Sequence, residues 1–132
     1  MKSTKYEVVF EPFTERHFTR SFSKKYKCAW DLTLETLRIE FEQIDLLFLK
    51  KVAEIITDVG NMKICKTEFK VAGTPESRHA SGNRCIVAIH RDTMRVCVLL
   101  VYGKTDLSGK NETAEWKRII KEHYPQYKNF FS

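Results

Sequence analysis

The stretch RCIVAIHRDTMRVCVLLVY, Arg84–Tyr102, decides the fold. Two nearly continuous apolar runs, Arg84–His90 and Arg95–Tyr102, are joined by Arg91-Asp92-Thr93-Met94. Short runs dense in Val, Ile and Leu around a polar joint read as an antiparallel hairpin. Because the runs are apolar throughout rather than alternating, the hairpin sits centrally and is covered on both faces.

Working outward, Ile64–Ala72 does alternate, with Thr67, Phe69 and Val71 on one face and Lys66, Glu68 and Lys70 on the other. It reads as the strand before the hairpin. Gly73–Asn83, GTPESRHASGN, has the turn chemistry of a polar connection. After the hairpin, Gly103–Lys110 is a loop. Asn111 or Ser108 then caps a helix over Glu112–His123, with Trp116, Ile119, Ile120 and Tyr124 at helical spacing. Pro125 ends it, and 125–132 is expected as a loose tail.

Toward the N-terminus, Tyr6–Phe10 is a short β-rich segment stopped by Pro12, a first or edge strand. Thr14–Lys27 fits an amphipathic helix with Phe18 and Phe22 four apart, Thr14 as N-cap and Glu15 in its first turn. Asp31–Asp58 carries the strongest helical period, Leu34, Leu37, Phe41, Ile44, Phe48, Val52 and Ile55. It is expected as one long helix, capped by Asp31 or Thr33 and stopped by Gly60-Asn61. Ile39, Leu46, Leu49 and Ile56 lie off that stripe, which makes the helix either packed on two sides, the favoured reading, or a docking surface. The element order is β-α-α-β-β-β-α. The expected fold class is α+β: one domain over 1–132, with a small, mostly antiparallel sheet of about four strands, two N-terminal helices and one C-terminal helix. The helices pack on one face, and the other face, or the end where the loops meet, is free.

A chain of 132 residues that is 42% hydrophobic and 30% charged can bury one core without staples. The four cysteines, Cys28, Cys65, Cys85 and Cys97, form no C-x-x-C pair, and Cys85 and Cys97 sit inside strand runs as small core residues. Met1–Lys5 has no signal-peptide character, and no apolar run approaches the ~20 residues of a membrane helix. A cytoplasmic protein with no membrane partner is expected. The net charge of +6 is concentrated: residues 1–60 hold 10 cations and 10 anions, 61–110 hold 9 and 4, and 111–132 hold 4 and 3. Charge-balanced helices beside a basic sheet imply a cationic face for a polyanion, RNA or DNA. A solvated lysine-rich surface gives the same count.

If Thr67, Phe69 and Val71 face the helices, Lys66, Glu68 and Lys70 gather on the free side. Arg78 and His79 come from the following loop, Arg84 from the next strand, and Lys104 from beyond the last. This set suits RNA cleavage. Glu68 or His79 moves protons; Arg84 and the lysines neutralise charge on phosphorus. A charged, aggregation-resistant strand face would look alike, and a histidine in a Ser/Gly-rich loop is more often a plain surface residue than a base. No cofactor or metal is expected: Gly73-Thr74-Pro75-Glu76 lacks the phosphate-loop pattern, and His79 and Cys85 have no second pair at zinc spacing.

Lys66-x-Glu68-x-Lys70, then Arg78-His79-Ala80-Ser81-Gly82-Asn83-Arg84, the apolar hairpin, Val101-Tyr102-Gly103-Lys104 and the Glu112–Ile120 helix together resemble the RelE/ParE superfamily of type II toxin–antitoxin toxins, its RelE- and HigB-like members in particular. The resemblance implies an endoribonuclease that cuts mRNA, usually on the ribosome, and is neutralised by a cognate antitoxin. It also implies roles. Arg84 matches the phosphate-contacting arginine that begins the strand after the loop. Lys66 and Lys70 match the basic residues of the preceding strand, and Lys104 the lysine after the last strand. Thr105 departs from the second arginine often found there, and Tyr124 or Tyr127 reaches the site only if the tail folds back. The superfamily also contains gyrase-directed toxins, so a non-catalytic nucleic-acid- or protein-binding member is the alternative.

Overall fold

The computed structural model describes residues 5–103, 106–107 and 111–130; the Phe18 side chain and Lys104, Thr105 and Ser108 lie outside the described set. Five strands form one sheet in the order β1-β5-β4-β3-β2. They are β1 (Glu7–Phe10), β2 (Ala53–Asp58), β3 (Met62–Phe69), β4 (Asn83–His90) and β5 (Arg95–Tyr102). β4 and β5 are the central antiparallel hairpin expected from their apolar runs. β1 is an edge strand and runs parallel to β5; the other pairings are antiparallel.

The sheet divides its side chains between two cores. Phe22, Trp30, Leu37, Phe41, Ile44 and Leu47 cover one face, against Cys65, Phe69, Cys85, Val87, Ile89, Val96 and Val98. These come from α2 (Arg20–Tyr26), α3 (Cys28–Glu42) and α4 (Asp45–Leu49). Trp116, Ile119, Ile120, Tyr124 and Tyr127 cover the other, against Met62, Ile64, Ile86, Ala88, Leu99 and Leu100. The register slips between Ile86 and Val87 opposite Leu100 and Val98, so Leu99 is an extra residue. That bulge lets Leu99 and Leu100 serve the same core. The opposite face is therefore not wholly free. Helix α6 (Glu112–His123), capped by Asn111 Oδ1 accepting from the Ala114 amide at 3.1 Å, closes most of it. Residues 125–130, expected as loose, form a 3-10 turn, Pro125–Phe130, with Tyr127 buried.

The largest departure is Asp31–Asp58. α3 ends at Glu42, Gln43 leaves the helical region (φ −123°, ψ 47°), and α4 is a short separate turn. Ala53–Asp58 is strand β2, an edge paired with β3. Its Ile-Ile-Thr core is β-branched, which favours a pleated surface. Gly60-Asn61, read as a helix stop, is the β2–β3 turn, where Gly60 takes φ +90° and its amide donates to Asp58 Oδ1 at 2.9 Å. The two-sided packing fails with the helix: Ile39, Leu46 and Leu49 are 53%, 48% and 78% exposed.

The segment read as Thr14–Lys27 begins earlier, as α1 (Pro12–Thr14), and passes through a π-helical turn (Glu15–Thr19) into α2. Thr14 is no cap. It is fully buried, and its hydroxyl accepts the Val101 amide at 2.9 Å, tying the turn to β5. Lys27, at φ 50°, breaks the chain between α2 and α3. Thr33 is likewise not a cap; its hydroxyl donates to Ala29 O and accepts the Ala72 amide. All four cysteines are free thiols, with Cys65, Cys85 and Cys97 buried. Burial pushes the Cys65 thiol up to about 12 and raises Cys85 and Cys97 as well.

Candidate functional site

Cross-strand register builds the site. Glu68 on β3 stands opposite Arg84 on β4, which stands opposite Tyr102 on β5; one row along, Glu54 on β2 stands opposite Lys66. Beyond the end of α6 this corner of the face is open. A cavity of about 220 Å³ there is lined by Lys51, Glu54, Lys66, Glu68, His79 and Arg84.

Glu68 is the hub. Its Oε2 forms an ion pair with Arg84 Nη2 at 3.1 Å and lies 2.7 Å from His79 Nδ1. With the proton on Nδ1, His79 donates to the carboxylate and turns Nε2 outward as a base. The His79 side chain is 87% exposed, whereas Glu68 is 22% and Arg84 12% exposed. His79 is held in place by α5 (Arg78–Ser81), a single turn whose start is capped by Ser77 Oγ accepting the Ala80 amide and whose end is Gly82 at φ 74°. Arg84 fastens this turn to the strand. Its Nη1 donates to Asn83 O at 2.9 Å and Arg78 O at 3.4 Å, and its Nη2 to His79 O at 3.2 Å. The guanidinium, expected as a phosphate clamp, is thus held by Glu68 and three carbonyls.

Lys66 faces the same corner. Among the described residues, neither it nor Lys51 enters a salt bridge. Two expected members point elsewhere. Arg78 starts α5 and reaches across the sheet edge to a forked ion pair with Glu40 of α3, and also donates to Glu68 O at 3.2 Å. The Glu40 hydrogen bond raises its pKa further above the ordinary arginine range. Lys70 follows the last strand residue, so strand alternation no longer places it. It lines a separate cavity with Thr33, Thr36 and Arg78 on the α3 side, its Nζ 3.5 Å from Thr74 O. Lys104 lies outside the described residues.

The tail does fold back, but to the wrong end. Tyr124 donates to Leu99 O at 2.7 Å, and Tyr127 OH lies 2.8 Å from His90 Nε2. His90 is six residues along β4 from Arg84, about 20 Å at strand rise. Burial raises the pKa of both phenols. Tyr102 is closer, in the Arg84 row, but is 1% exposed and donates to Glu112 Oε2 at 2.7 Å.

Lys51 and Glu54 were hidden from sequence reading by the long-helix assignment. The signal that would have found them is Ile55-Ile56-Thr57 followed by Gly60-Asn61, the composition of a strand entering a hairpin. Among the described residues no group of three or more His, Cys, Asp and Glu is arranged to hold a metal, and no helix is long and apolar enough to cross a membrane.

No family model and no curated protein matches the chain. Among solved structures it is similar to the crystal structure of the archaeal RelE-RelB complex from Pyrococcus horikoshii OT3. The likeness has a TM-score of 0.51 at 11% identity and covers 76% of this chain and 97% of the matched one. The chain has the α+β RelE-like fold expected from its sequence, with a fifth strand and two further short helices.

Proposed function

We propose that this protein is the toxin of a toxin–antitoxin pair and an endoribonuclease that cuts mRNA, with ribosome-bound message as the substrate. The observation that carries the chemistry is the Glu68 carboxylate bridging Arg84 and an exposed His79, on a RelE-like fold.

His79 Nε2 takes the proton of a ribose 2′-OH. The 2′-oxygen attacks the adjacent phosphorus, the bond from phosphorus to the 5′-oxygen breaks, and that oxygen takes up a proton. The products are a 2′,3′-cyclic phosphate and a 5′-hydroxyl end. Glu68 sets the His79 tautomer and stabilises the imidazolium that forms, the logic of a carboxylate–histidine pair. Arg84 positions Glu68 and α5. Lys66 and Lys51 oppose the charge that builds on the non-bridging oxygens. The route runs through a 2′-hydroxyl and side chains, so it needs no metal ion.

The antitoxin is the second partner in this reading. The similar structure is described as a RelE-RelB complex, and exposed Leu32, Ile39, Leu46 and Leu49 on α3 and α4 offer an apolar surface for an amphipathic segment.

The test is induced expression of wild type, His79→Ala and Glu68→Gln, with mRNA 5′ ends mapped, and cleavage by purified protein in chelator. Growth arrest with new 5′-hydroxyl ends from wild type alone supports the reading. Arrest without new ends moves the target to gyrase or another protein. New ends from all three proteins would remove His79 and Glu68 from the chemistry.

A further inference from the structure

The charge balance of residues 1–60 is not local. Between Arg16 and Trp30 the chain carries Arg16, Arg20, Lys24, Lys25 and Lys27 and no carboxylate, whereas residues 31–58 carry seven carboxylates and three cations. In the fold three of those seven carboxylates pair with cations of the sheet and its connections, while Asp31 lines a pocket with Glu15, Arg16 and Arg20. Glu40 pairs with Arg78, Asp45 with Arg91, Asp58 with Lys63, and Glu7 from β1 with Arg95. The basic middle of the sequence is thereby largely neutralised, and the five cations from Arg16 to Lys27 are left over. All five are exposed, and among the described residues none enters a salt bridge. Helix stability does not account for them. Lys24 and Lys25 at the C-terminal turn complement the helix dipole, but Arg16 and Arg20 lie between the two end turns of the helical run over 12–26, where the dipole favours neither charge.

This surface borders the site's end of the sheet through Lys25, while Arg20 lines another pocket with Glu15 and Asp31. A cavity of about 510 Å³ at the end of the sheet is lined by Ser21, Lys25 and Tyr26 on one side and by Ser81, Asn83 and Gly103 on the other. Asn83 adjoins Arg84, which bonds its carbonyl. Gly103 keeps this end tight: a Cβ there would sit 3.2 Å from both Asn83 Oδ1 and Phe22 Cζ. Glu76 and Asp106 also border the cavity.

We infer that Arg20, Lys24 and Lys25 bind the phosphate backbone of the RNA strand that leaves the Lys66–His79 corner and turns round the Gly103 end of the sheet. The inference rests on the RNA-cleavage reading and extends it: the substrate is a strand reaching well past the scissile bond. Charge complementarity selects the occupant, since unpaired exposed cations gain affinity from phosphates by releasing counterions.

The experiment compares wild type, Arg20→Glu/Lys24→Glu/Lys25→Glu and His79→Ala, each checked for an unchanged thermal midpoint. Binding to a long single-stranded 2′-O-methyl RNA is followed by fluorescence anisotropy across a salt series, and turnover is measured on a short and a long cleavable RNA. The triple variant is expected to bind the long RNA at least tenfold more weakly. Its log–log salt slope should be shallower by about 2, from roughly 0.7 per lost phosphate contact on a single strand. Its KM should rise on the long RNA alone, with kcat kept. His79→Ala should bind like wild type. Unchanged affinity and slope in the triple variant would overturn the inference while leaving the cleavage reading intact. Binding that depends on the α2 cations in a wild type that cuts no RNA would remove the cleavage reading and keep the α2 surface. Absence of RNA binding by wild type would overturn both.

Discussion

Two histidines stand at opposite ends of the β3–β4 pair, each with a ring nitrogen held by a neighbour. His90 Nε2 lies 2.8 Å from Tyr127 OH; His79 Nδ1 lies 2.7 Å from Glu68 Oε2. At the His90 end, the 3-10 turn after α6 buries Tyr127 in the core that Met62 and Ala88 also join. At the His79 end that cover stops. The His79 ring projects into water, with a half-buried carboxylate behind it. The same local chemistry therefore locks a terminus at one end and presents a base at the other. Exposure decides which, because a proton can be exchanged with substrate only where substrate can reach the ring.

The comparison breaks most visibly at the open end. His79→Ala should lower RNA cleavage by about 10² to 10⁴ fold, the usual contribution of a general base, and shift stability by no more than about 0.5 kcal/mol, as for an exposed residue. Turnover on a defined RNA and urea unfolding read the two quantities separately. A large stability loss with little change in turnover would make His79 a structural residue like His90. Under α6 the signs reverse. Trp116 is fully buried, and Trp116→Ala should destabilise the fold by about 3–5 kcal/mol through lost contacts and a cavity. A loss under about 1 kcal/mol, set against that expectation, would mean that α6 does not seal the sheet.

Alkali probes the buried groups along the whole length of the sheet, because they resist ionisation. Burial raises the pKa of Tyr102, Tyr124 and Tyr127, and of the thiols of Cys65, Cys85 and Cys97. The folded state keeps protons that the unfolded chain releases, so stability falls as pH rises past the unfolded values, about 8.5 for thiols and 10 for tyrosines. Each such group removes about 1.4 kcal/mol per pH unit between its unfolded and folded pKa. Tyr127→Phe should lower stability at neutral pH by about 1 kcal/mol for the His90 hydrogen bond and make the decline above pH 10 shallower by one proton. Urea midpoints across pH 7–11 measure both; an unchanged alkaline slope would mean that Tyr127 ionises freely in the folded state.

What was legible in the sequence follows from how local its cause is. The β4–β5 hairpin, α6 and its Asn111 cap were read correctly because apolar run length, helical spacing and a capping side chain act within a few residues. β2 was missed because Val52 and Ile55 continue a helical period by coincidence, and only pairing with β3 makes Ile55 and its neighbours a strand. In the site, alternation carried Lys66 and Glu68 to one face, but it lapsed at Lys70 where the strand stops. Arg78 was lost to Glu40, thirty-eight residues earlier in the chain. No spacing rule on one segment could show that pair. The charge count misled for the same reason: carboxylates from one segment neutralise cations of another.

Ion pairs give the finest form of the comparison. Arg91 and Asp45, beside the His90 end, bond at 3.0 Å with side chains 41% and 55% exposed. Arg84 and Glu68 bond at 3.1 Å with 12% and 22%. Water screens the first pair, so Arg91→Ala should change stability by no more than about 0.5 kcal/mol, as exposed pairs do. Arg84→Ala leaves Glu68 half-buried without its cation and α5 without a tie, and should lose about 1–3 kcal/mol as well as turnover. If urea unfolding gave the two variants equal losses, the open corner would be no better organised than the surface around it. The case for Glu68 as a fixed partner to His79 would then fail.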